Sequence, residues 1–76
     1  MKITGTRSYI LIEFDYRTVK IAGELTITPA FYAEISSIKN WEKPYNNIAV
    51  TEEEKKEIMR RVNEENSKNE LKIIFE

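Results

Sequence analysis

The chain has 76 residues, 41% of them apolar and 33% charged, and a formal net charge of −1. That size predicts one domain over residues 1–76 with one modest core, and the balance is that of a globular chain, not a disordered one. It contains no Cys and no His, which excludes disulfide staples and thiolate chemistry and removes the usual acid–base group for neutral pH.

The segment from Met1 to Thr6 predicts a short first strand through Ile3. Residues 8–17, SYILIEFDYR, alternate with a period of two. Ile10, Ile12, Phe14 and Tyr16 share one face, and Tyr9, Leu11, Glu13 and Asp15 the other. Residues 18–27, TVKIAGELTI, repeat the pattern with Val19, Ile21, Leu25 and Ile27 in phase. Gly23 interrupts them, which predicts a bulge, a bend or a close backbone approach. The intervening Asp15-Tyr16-Arg17-Thr18 has no Gly or Asn to force a tight primed turn. A hairpin turn there and a shifted strand boundary both stay open.

Thr28-Pro29 marks a break. Residues 31–38, FYAEISSI, alternate Phe31, Ala33 and Ile35 against Tyr32, Glu34 and Ser36, which predicts a fourth strand. The polar stretch SSIKNWEKPYNN, 36–47, then holds the only Trp of the chain. Trp41 either plugs the core or faces a partner. Thr51 reads as a helix N-cap, with Glu54 three residues later completing a capping box. The stretch VTEEEKKEIMRRVNEENSKNE reads as a helix with a narrow apolar stripe of Ile58, Met59 and Val62, led in by Ile48 and Val50. Its end is expected at ENSKN, and LKIIFE reads as a last strand with Leu71, Ile73 and Phe75 on one face. The fold class is α+β, β-β-β-β-α-β: an antiparallel meander of about four strands, one helix packed on the sheet, and a final C-terminal strand.

The inventory for catalysis is thin. Without His or Cys a zinc site is disfavoured. Glu13 and Asp15 could present paired carboxylates, but a solvated strand face accounts for them. Two glycines, Gly5 and Gly23, cannot build a phosphate cradle. No serine has a His to activate it. No cofactor is expected. Charge is +1 over residues 1–50 and −2 over 51–76 (six basic and five acidic, then six basic and eight acidic), too even for nucleic-acid binding. No apolar run approaches the length of a signal peptide or a membrane span, so a cytoplasmic location and no membrane partner are expected. Glu52, Glu53 and Glu54 match the helix dipole, or form an acidic knob for a basic partner. The pairs Glu52–Lys56 and Glu57–Arg61 have helical ion-pair spacing. Tyr9, Tyr16, Tyr32, Tyr45 and Trp41 are numerous for so small a core. Tyr9 and Tyr32 would form an aromatic patch if their strands adjoin.

In order, Gly23-Glu24-Leu25, Phe31, Ser37-Ile38, Trp41 with Pro44, the Thr51-led acidic helix start and the closing LKIIFE resemble a family of small bacterial immunity proteins of polymorphic or contact-dependent toxin systems. The likeness spans residues 19–76. It implies a non-enzymatic protein that binds and neutralises a cognate protein toxin, with no catalytic residues. It also implies that Trp41 sits in a recurrent turn, where sealing the end of the core is its expected role. Glu42, Lys43, Tyr45, Asn46 and Asn47 then form an exposed loop. That loop, with Glu52 and Glu53 of the helix start, is the expected partner contact. The alternative is a small self-associating structural or regulatory module that uses a sheet edge or the aromatic residues. Homo-oligomerisation is not predicted.

Overall fold

A computed structural model describes residues 2–66 and 72–76. The elements are β1 (Lys2–Gly5), β2 (Tyr9–Phe14), β3 (Arg17–Thr26), β4 (Ala30–Ala33), a 3-10 turn (Ile35–Ser37), α1 (Glu52–Asn66) and β5 (Lys72–Phe75). The strands lie in the order β1-β2-β3-β4-β5. The first four are antiparallel neighbours, and β5 runs parallel to β4. A parallel neighbour requires a crossover, and α1 supplies it. The architecture is α+β.

Alternation explains the first hairpins. Ile10 pairs with Ile21 and Ile12 with Val19, and all four are buried on one face. The β2–β3 turn is Asp15-Tyr16, closed by the Phe14–Arg17 pair. Asp15 takes φ 59, a left-handed conformation that a short polar side chain tolerates without glycine. This corrects the expectation for Tyr16. The turn lifts it out of the buried phase, and it is 71% exposed.

β3 serves two half-sheets. Arg17–Ala22 pairs with β2 and Gly23–Thr26 with β4. At the handover the Gly23 amide donates to Ser8 (2.9 Å) but the Leu25 amide to Arg7 (3.0 Å), a slip of one residue. A Cβ at Gly23 would sit 2.2 Å from the Tyr32 carbonyl oxygen. The expected bulge and close approach are both there. Beyond the bulge the buried phase fails: Leu25 is 38% exposed, and Ile27 stands fully exposed in the β3–β4 turn.

The fourth strand is shorter than its alternation suggests. It stops at Ala33, and residues 35–37 coil into the 3-10 turn. Ser37 competes for the chain. Its Oγ donates to the Glu34 carbonyl (2.7 Å) and accepts the Ala22 amide (3.0 Å). Tyr9 and Tyr32 do not meet as one patch, because β3 lies between their strands.

On α1, Ile58 and Val62 are fully buried and Met59 half-buried; Ile48, in the loop before the helix, stays exposed. The core joins Ile58 and Val62 to Ile12, Val19, Ile21, Phe31, Ile38 and Trp41. The last residue of α1 fastens the last strand. The Asn66 carboxamide donates to the Ile73 carbonyl (2.8 Å) and accepts the Ile73 amide (3.0 Å). Ile73 is buried as expected and Phe75 half-buried, while Leu71 and the Ser67–Asn69 part of the helix stop lie outside the described residues.

Candidate partner-binding surface

Residues 39–50 form a loop that closes on itself. The Val50 amide donates to Lys39 (2.8 Å) and the Trp41 amide to Ile48 (3.1 Å). Inside it, Tyr45 donates to Glu42 and Ile48 to Tyr45, each at 3.0 Å. The Asn40 side chain ties the Asn46 carbonyl at 2.9 Å. The Glu42 amide docks the loop on the sheet through the Thr18 carbonyl (2.8 Å). Trp41 is 1% exposed and stacks on Phe14 with centroids 6.2 Å apart. The bulkiest side chain of the polar stretch therefore seals one end of the core.

Arg17 covers that seal. Its guanidinium lies 4.2 Å from the Trp41 ring centre and 5.1 Å from that of Tyr16. It also donates to the Glu54 carboxylate at 2.7 Å, and both side chains are largely shielded from solvent. Arg17 Nε and Trp41 Nε1 are buried without a hydrogen-bond acceptor among the described residues. Charge and stacking, rather than complete hydrogen bonding, hold the cluster. Glu54 works twice. Its carboxylate accepts the Thr51 amide (2.9 Å) while its own amide donates to Thr51 Oγ1 (3.1 Å), the reciprocal capping box. The Thr51 amide lowers the Glu54 pKa, burial opposes this, and Arg17 lowers it further, so the carboxylate stays ionised.

Outside this cluster, Tyr16 stands edge-on against Tyr45, with centroids 5.4 Å apart at 74°. Tyr45, Tyr16, Arg17 and Glu54 form one line of contacts from the loop to the helix start. Of the expected contact residues, Lys43, Asn46, Glu52 and Glu53 are exposed, and Glu42 and Tyr45 are half-buried. Glu52 is held by Lys55 at 3.1 Å, not by the expected Lys56. Glu42, Lys43 and Glu53 make no ion pair among the described residues. Glu13 and Asp15 do not act as a carboxylate pair. Glu13 lies 4.0 Å from Lys2, and Asp15 lies 3.8 Å from Arg61 in the β2–β3 turn. Arg61 also bonds Glu57 at the expected spacing (3.0 Å).

Sequence reasoning missed Tyr16 and Arg17 as parts of this surface. For Tyr16 the signal was the Asp15-Tyr16 pair itself: placing the turn there turns Tyr16 outward.

A family model described as Immunity protein 74 matches residues 2–76. The chain belongs to the Immunity protein 74 family. No curated protein and no solved structure matches it. Among the described residues of this Immunity protein 74 member, no helix is long and apolar enough to cross a membrane. The Immunity protein 74 surface at this end combines an aromatic pair of exposed Tyr16 and half-buried Tyr45, a shielded Arg17–Glu54 bridge behind it, and the charges of Glu42, Lys43 and Glu53, which make no ion pair among the described residues.

Proposed function

We propose that this Immunity protein 74 family member binds one cognate bacterial protein toxin in the cytoplasm and neutralises it by occlusion, without turnover. One observation supports the reading above the rest. Tyr45, on a loop locked by its own hydrogen bonds, and Tyr16, in the β2–β3 turn beside Arg17, present a part-exposed aromatic pair. A preformed aromatic platform loses little conformational entropy on association, which favours tight binding. Glu42, Lys43, Tyr45, Asn46, Glu52 and Glu53 are the proposed contacts, and Tyr16 joins them. The absence of His and Cys agrees with action by surface fit rather than chemistry.

The test is protection of cells that express the product of the open reading frame next to this chain's own. Tyr45→Ala and Glu53→Arg are expected to keep the circular dichroism spectrum of the parent and to lose protection. A toxin complex that buries neither the loop nor the helix start would remove this surface from the proposal.

A further inference from the structure

The two edges of the sheet are finished differently. In the parallel pairing Glu76 turns its amide and carbonyl toward β4, so Ile73 turns its own pair outward. Asn66 occupies both of those groups, as a neighbouring strand would. The β1 edge has no such cover. Thr6 donates to Tyr9 (2.8 Å), so in the alternating ladder Lys2 and Thr4 face β2, and Ile3 and Gly5 face away. The amide and carbonyl groups of Ile3 and Gly5 have no partner among the described residues.

A cleft of about 340 Å³ opens beside this edge. Ile3, Ile10, Leu25, Phe31 and Ile73 give it apolar walls, and Arg7 stands at its rim. Arg7 is exposed and makes no ion pair among the described residues. An open ladder fits an extended backbone, the cleft fits an apolar side chain, and Arg7, the one charged residue among those lining this cleft, fits a carboxylate, although Glu24, Glu34 and Glu76 line a second depression beside it. A second copy of this chain fits poorly. Antiparallel β1–β1 pairing through Ile3 and Gly5 would bring to the edge the strand Lys2–Gly5, which carries no carboxylate to meet Arg7.

We infer that β1 receives an added strand. An extended segment of the toxin pairs its backbone with Ile3 and Gly5, seats an apolar side chain in the cleft and places an acidic one against Arg7. This rests on the toxin-binding reading and adds a second contact, away from the Tyr16–Tyr45 platform.

Amide hydrogen exchange on the full chain, free and mixed with the toxin domain that it protects against in the test above, tests the inference. In the complex the Ile3 and Gly5 amides are expected to slow by about tenfold or more, while the Thr4 amide, already in the ladder, changes less. Arg7→Glu, a surface change, is expected to raise the Kd by about tenfold with the fold intact. A complex in which both amides exchange as in the free protein overturns the added strand and leaves the toxin-binding reading standing. Sedimentation that reveals a dimer of the free chain, with the same two amides protected, gives the edge to a second copy and also overturns it. A toxin domain that does not bind at all removes both readings.

Discussion

Arg17 joins three parts of the chain that are distant in sequence. It lies over Trp41 of the loop, touches Tyr16 of the turn and bonds Glu54 of the helix. Arg17→Ala would uncover the Trp41 ring and leave the shielded Glu54 carboxylate without its cation. Loss of a charged hydrogen bond in such a place costs about 1.5–3 kcal/mol, to be read from urea unfolding. Arg17→Lys should recover only part, since a point charge cannot stack and bond as the planar guanidinium does. Gly23 is constrained in a different way. Gly23→Ala forces a Cβ toward the Tyr32 carbonyl oxygen 2.2 Å away, so β3 and β4 must separate. A loss of about 1–3 kcal/mol is expected, with the midpoint of urea unfolding as the measure. The Gly23 strain was legible in the sequence because a glycine breaking an alternating run has few other reasons. Arg17 was not legible, since nothing local tells that a strand cation will meet an indole from a loop more than twenty residues on.

At the scale of the element, α1 carries its own start signal. Thr51→Ala removes the hydroxyl that accepts the Glu54 amide and should cost about 1 kcal/mol in thermal unfolding. The helix meets the sheet through few side chains. Ile58 is fully buried, so Ile58→Asp places a charge in the core and is expected to unfold the protein, seen as collapse of amide chemical-shift dispersion. The exposed face responds to acid. Hydrogen bonds from Arg60 and then Arg61 hold the Glu57 carboxyl at about 2, against an ordinary 4.5. The folded value lies below the unfolded one. The stabilisation is therefore present above pH 4.5 and is lost as pH falls toward 2. Helical ellipticity should fall over that window, and Glu57→Gln should flatten the fall. Added salt should do the same, because these charges face water. The capping box, Gly23 and the phase of Ile10, Ile12, Phe14, Val19 and Ile21 were readable because each depends on neighbours a few positions away. The stop of β4 at Ala33 was not, because Ser37 ends it by taking a hydrogen bond from Ala22 across the fold.

The whole molecule is a curled sheet in which Ile3 of β1 and Ile73 of β5 wall the same cleft. Its α+β class and element order were legible, since the periods of two and of 3.6 are written in the apolar residues. The parallel placement of β5, the burial of Trp41 and the turn at Asp15-Tyr16 needed tertiary contacts to settle. The expected contact residues were drawn from one loop and one helix start; the fold adds Tyr16 between them. Asn66 has a final consequence for the molecule's shelf life. Slow hydrolysis of its carboxamide, a common fate of asparagine in solution, would exchange an N–H donor for an oxygen facing the Ile73 carbonyl. A clasp would become a repulsion, and a second ribbon of unsatisfied backbone would be laid bare to other molecules. Asn66→Asp should therefore clump on storage under conditions where the parent stays clear, which light scattering over days would register.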